Sequence, residues 1–181
     1  MLSEQFTTYQ LDDCTFPASP PDLMPSPEYN QALRLFIRVC ADIILYDSEN
    51  KVVCLAKRNI CLPVWWFIGG QIWPGEPALT GALRRLKIET SLTVEPNRLE
   101  FLCINRYLHS GPLGQPARDN FTCTFALNTS PTEINQAENN LDPNEYDTNL
   151  GIRSFGRTDL AEASIAQPII DIYEKLFPDN G

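Results

Sequence analysis

The segment spanning residues 65–92, WWFIGGQIWPGEPALTGALRRLKIETSL, constrains the fold more than any other part of this chain. It holds all three tryptophans, a Gly69-Gly70 turn, a Pro74-Gly75 corner and then a run with helical period. Leu79, Ala82, Leu83 and Leu86 recur at i, i+3, i+4 and i+7, which predicts a helix with one core face. Pro77 suits the first helical position, so Glu76 is expected as the N-cap, its carboxylate at the positive helix end. Arg85, Ile88 and Glu89 fall together on a second face, where polar chemistry would sit.

The flanks supply a sheet for that helix to bury against. Residues 36–46 read as a buried strand, Asp47-Ser48-Glu49-Asn50 as a turn, and residues 51–57 as the returning strand, with Arg58 at its end. Further strands are expected at 66–68, 99–108, 121–127 and 152–155. A short helix capped by Thr158 and a last helix over 168–177, stopped by Pro178, close the chain. Residues 129–150 carry Glu133, Glu138, Asp142, Glu145 and Asp147 without one Lys or Arg, and read as a long acidic loop. Mixed strands with a mid-chain and a C-terminal helix predict an α/β sandwich. Prolines crowd the first thirty residues, so the expected division is a Pro-rich arm over 1–30 and one domain over 31–181.

Charge narrows the partners. The 181 residues carry a net charge of -9, and a surface poor in Lys and Arg argues against a nucleic-acid binder, whose phosphate backbone demands clustered cations. A small phosphate ligand needs only a few local cations. Residues 59–75 are uncharged, but Pro63, Gly69, Gly70, Pro74 and Gly75 break that run, so no membrane span is expected. Six cysteines show no C-x-x-C pair, and one histidine leaves little for a zinc site. Free thiols and no leader pattern predict a reducing, cytoplasmic setting. A homodimer is left open.

The segment resembles the Nudix box, G-x5-E-x7-R-E-U-x-E-E-x-G-U with U aliphatic. Gly70, Glu76, Arg84, Leu86, Glu89 and Leu92 match at the required spacing, while Arg85, Ile88 and Ser91 replace a Glu, a Glu and a Gly. The resemblance covers about residues 36–177 and implies a Nudix-type α/β/α sandwich with a mixed sheet. It also implies hydrolysis of a nucleoside diphosphate derivative with Mg²⁺ or Mn²⁺ held by helix carboxylates. Only Glu89 carries over into the ligand set, with the Gly70 carbonyl as a second donor, so a reduced metal site is expected. Residues 54–58 and 65–70 look similar to the GDP-mannose mannosyl hydrolase branch, which also has a reduced box and attacks the sugar carbon. That branch's histidine base falls on Asn120, and Asn is no base at neutral pH.

His109, or Glu138 or Glu145 from the acidic segment, is the alternative base, beside Glu89 as the catalytic carboxylate. Arg58, Trp73, Arg85 and Asn120 are the candidate substrate contacts. Arg85 would grip phosphate oxygens in forked geometry, whereas Trp66 is expected in the core and Arg84 in a structural role. Two functions follow: a divergent Nudix hydrolase acting on a nucleotide-sugar or related compound, or a catalytically inactive Nudix-fold binding or regulatory domain.

Overall fold

The structure, a computed structural model, describes residues 26–59, 64–110, 116–163 and 165–178. Strand β1 (Arg38–Asp47) lies at its centre. Ile43, Ile44 and Leu45 of β1 are fully buried, so the strand reads as a continuous apolar run rather than an alternating one. One edge of β1 pairs antiparallel with β2 (Val52–Lys57) and, further along, with β4 (Ile68–Gln71). Its other edge runs parallel to β6 (Arg118–Asn128), which pairs antiparallel with β5 (Leu99–His109). Short strands β3 (Trp65–Trp66) and β7 (Ile152–Phe155) extend β2.

Helices cover both faces of this mixed sheet. Ala82 and Leu86 of α2 (Ala78–Thr90) and Ala137 of α3 (Pro131–Asn139) pack on Ala41, Ile43 and Leu45. Leu160 of α4 (Arg157–Glu162) and Ile169, Ile172 and Tyr173 of α5 (Gln167–Leu176) pack on Ile44, Val53 and Leu55. The expected α/β/α sandwich is therefore the observed one. Helix α1 (Ser26–Leu35) leads into β1 and crosses the boundary expected at residue 30. The rest of the Pro-rich arm, residues 1–25, lies outside the described residues, as do Cys14 and Cys61. No helix among the described residues is long and apolar enough to cross a membrane.

Local chemistry corrects several expectations. Helix α2 begins at Ala78 with Pro77 as its N-cap, and the Glu76 carboxylate caps nothing there. Glu76 instead accepts the Trp73 amide at 2.9 Å and grips Arg84 through both oxygens, at 2.7 and 2.6 Å. Helix α4 starts before Thr158: Gly156 is its N-cap, and Asp159 reaches back to the Gly156 amide at 2.9 Å.

The acidic segment is not one loop. Ser130 and Glu133 form a reciprocal capping box that starts α3, and Glu133 also holds Arg98 at 2.5 Å. The residues after α3 then fold back on the box helix, where the Asp142 amide donates to the Glu89 carbonyl at 3.0 Å.

Candidate functional site

The site begins where β4 meets β1. Asp42 pairs with Gly69 and Ala41 with Gly70 in the antiparallel register. Gly69 has φ +146°, and a Cβ there would fall 2.3 Å from the Ala41 carbonyl oxygen, so only glycine lets the two strands close. Gly70 is bare for another reason. A Cβ at Gly70 would lie 2.8 Å from Nη2 and 2.9 Å from Nε of Arg85, which rests over it from α2.

Arg85 also pairs with Glu89, one helical turn on. The contact is an ion pair rather than a well-directed hydrogen bond, since Glu89 Oε1 has no hydrogen-bonded partner of good geometry. Glu89 Oε2 accepts the Tyr146 hydroxyl and, at 3.1 Å, the Gly69 amide. The carboxylate is fully buried, which raises its pKa, while Arg85, Tyr146 and Arg58 act against that rise. Glu89 is thus no solvated helix glutamate but an anchor between the box and the acidic segment. Ile88 departs from the face expected for it: it is exposed, whereas Arg85 and Glu89 turn inward.

A divalent cation does not fit this donor set. Hard cations take several oxygen ligands, and among the described residues no three His, Cys, Asp or Glu side chains are gathered to hold one. Glu89 has one oxygen committed to two donors and the other to a guanidinium, which also lies over Gly70.

Gly69, Gly70 and Arg85 line one wall of a cleft of about 720 Å³, which the fully buried Glu89 does not reach. Arg38, Arg58, Arg85, Arg106 and Arg118 line it, against the carboxylates of Asp42 and Glu145. Glu145 ties two of the arginines, with Oε2 at 2.6 Å from Arg58 and Oε1 at 3.9 Å from Arg85. Arg58 also lies over the Tyr146 ring, 5.3 Å from its centroid. On the floor Asp42 accepts Trp66 Nε1–H at 3.3 Å. Burial pushes the Asp42 carboxyl up to about 6, even with Arg58, Trp66, Arg85 and Arg38 favouring its charged form. Asp42 and the arginines at 38 and 118 stand apart from the box, so the box spacing gives no hint of them. The one signal in the sequence is a lone carboxylate inside the apolar run of β1.

His109, a candidate base, and Asn120, a candidate substrate contact, meet at the far wall. His109 Nδ1 lies 2.9 Å from the Ser110 carbonyl and must carry the proton, leaving Nε2 to accept from Asn120 Nδ2 at 3.2 Å. Asn120 Oδ1 in turn accepts from Arg38 Nε at 2.9 Å, and Arg38 Nη1 donates to Tyr29 at 3.2 Å. The lone pair a base would use is therefore engaged, and burial lowers the His109 pKa.

Trp66 is partly buried against the core, as expected of it. It also lines the cleft, while Trp73 stacks on Arg84, whose Cζ is 3.6 Å from the ring centroid, and is not part of the lining. Glu138 is likewise placed elsewhere, against Gly151.

A family model for the NUDIX domain matches residues 37–176. An RNA pyrophosphohydrolase from Dinoroseobacter shibae is 38% identical over 58 residues, 32% of this chain and 36% of that relative. The match thus spans about a third of the relative's length. A MutT NUDIX hydrolase from Burkholderia pseudomallei superposes with a TM-score of 0.56 at 16% identity, over 77% of this chain and 97% of that one. NrtR from Shewanella oneidensis, in complex with a 27mer DNA, gives 0.54 at 17% identity, over 76% and 59% of the two chains. At such identities the structural likeness speaks to the fold.

Proposed function

The chain belongs to the NUDIX domain family, and from that premise we propose that it binds a nucleoside diphosphate derivative in the cleft, as a binding or regulatory domain. The observation that carries this reading is the concentration of charge. Five arginines line one cleft of a chain whose 14 Lys and Arg are outnumbered by 23 Asp and Glu. Such a cleft concentrates positive potential within an acidic surface and so favours a compact anion. The diphosphate would lie along Arg38, Arg58 and Arg85, with a base or sugar ring against Trp66. A nucleotide-sugar is the candidate favoured by the likeness of residues 54–58 and 65–70 to mannosyl hydrolases. A small molecule fits a cleft whose Arg58 and Arg85 are largely buried better than does the DNA bound by the Shewanella neighbour.

Hydrolysis is the second reading, favoured by the survival of Gly70, Glu76, Arg84 and Glu89 together. It requires Mg²⁺ or Mn²⁺ at Glu89 and the Gly70 carbonyl, and Arg85 stands against both.

A panel of nucleoside diphosphates and nucleotide-sugars, followed by thermal shift and by product release with Mg²⁺ or Mn²⁺, separates the two. The expected result is a rise in Tm with one or more members and no turnover. Metal-dependent release of product from any member would sink the binding-only reading, and no shift with any member would sink the ligand class.

A further inference from the structure

Three features meet at Arg85. Its guanidinium rests on the bare α-carbon of Gly70, in space that a methyl group would fill. It pairs with Glu89, whose Oε2 is held from behind by Tyr146 and the Gly69 amide while Oε1 faces the guanidinium. It also lines the cleft, with a side chain 20% exposed and a buried Nε that has no hydrogen-bond partner. That buried Nε is out of a ligand's reach, so what a ligand in the cleft would meet is the exposed fifth of the side chain.

We infer that Arg85 is the permanent resident cation of this cleft, standing where a divalent metal would need Glu89 and the Gly70 carbonyl, and that it receives the diphosphate oxygens directly. The inference rests on the proposed nucleoside diphosphate ligand. Chemically the exchange is unequal. A guanidinium stays charged at every accessible pH and offers a planar fork that matches two phosphate oxygens. It has no empty coordination site and cannot lower the pKa of a bound water as a metal does. The cleft would hold a diphosphate in chelator as firmly as in Mg²⁺, and supply no metal-activated water.

Gly70 supports the same conclusion. Its φ lies outside the left-handed region, unlike that of Gly69, so its backbone does not need glycine. What needs it bare is the guanidinium.

The test uses the full chain, with ADP and inorganic pyrophosphate titrated calorimetrically in EDTA and in Mg²⁺, and free Mn²⁺ followed by electron paramagnetic resonance. Wild-type protein is expected to bind ADP within about twofold in the two buffers and to leave the free Mn²⁺ signal unchanged. Arg85→Glu is expected to lose roughly tenfold or more of the ADP affinity in EDTA and to deplete free Mn²⁺. If Arg85→Glu folds poorly, the pair Arg85→Met with Glu89→Gln removes both charges together and should lose the same affinity without gaining Mn²⁺. ADP binding that needs Mg²⁺, or an EDTA affinity indifferent to the loss of Arg85, overturns the inference. If neither ADP nor pyrophosphate binds in either buffer, the ligand class fails. The Mn²⁺ measurement then still decides the resident cation, because Mn²⁺ bound by the wild-type site would refute it.

Discussion

Tyr146 donates its hydroxyl to Glu89 across 57 residues of sequence, and both side chains are buried. This bond joins the box helix to the end of the acidic segment. Through the adjacent Glu145, the same segment holds Arg58 and approaches Arg85. A charge taken out of water needs its full complement of partners. Glu89 has three: a hydroxyl, a backbone amide and a guanidinium. The cleft wall is accordingly one connected unit, and its electrostatics follow from how that unit is packed.

Tyr146→Phe removes the hydroxyl and leaves a buried carboxylate oxygen with one donor instead of two. The expected cost is about 1–3 kcal/mol, read from the denaturant midpoint at neutral pH. An unchanged midpoint would mean that Tyr146 and Glu89 do not share this bond in solution.

Asp42 makes a prediction in pH. Its folded pKa is about 6 against an ordinary 3.8, so between those values the folded state holds a proton that the unfolded state has released. The Asp42 contribution to stability is present below about pH 4 and is lost as pH rises through 6. Asp42→Asn removes that loss. The variant should gain stability on wild type as pH goes from about 4 to 7.5, by up to roughly 2–3 kcal/mol for a rise of about two units. Paired chemical melts at the two pH values cancel the other titrating groups. A difference independent of pH would show that the arginines around Asp42 outweigh its burial.

Much of the frame was legible in the sequence, and the reason is periodicity. Leu79, Ala82, Leu83 and Leu86 mark the core side of α2 because each faces the same sheet, and the box spacing places Gly70 and Glu89 in one site. The state of that site was not legible, because burial is decided by partners distant in sequence. Nothing near Glu89 announces Tyr146, and nothing near Asn120 announces that His109 would spend its lone pair there. The capping box at Ser130 and Glu133 is different: Ser-Pro-Thr-Glu is a helix start readable from spacing alone, and high acidity disguises it as loop. Asp42 shows a third case, a charge within an apolar strand whose guanidinium neighbours assemble only when β1, β2 and α2 come together.

Gly70→Ala probes the seat of the guanidinium without touching a charge. The backbone tolerates alanine there, and the new methyl would press on the flexible end of Arg85, so the side chain should move while the fold survives. The expected outcome is a stability change within about 1 kcal/mol and a several-fold loss of ADP affinity in EDTA. Full retention of that affinity would mean that the position of Arg85 over Gly70 is not the one that binds.

The last prediction asks whether the scaffold still has the geometry that its side chains no longer use. Ile88 is 51% exposed, so a glutamate at that position enters solvent and should cost less than about 0.5 kcal/mol. Arg85→Glu removes the guanidinium and sets a second carboxylate beside Glu89. Two carboxylates brought together without a cation repel, so the double variant Arg85→Glu with Ile88→Glu should be less stable than wild type in EDTA. Mn²⁺ or Mg²⁺ should restore it, because binding to the folded state alone raises Tm with metal concentration. A Tm that rises with metal in the double variant and stays flat in wild type would locate the loss of the metal site in these side chains. A flat response in both would place it in the backbone around Gly69 and Gly70, where Asp42 and β1 hold the turn closed.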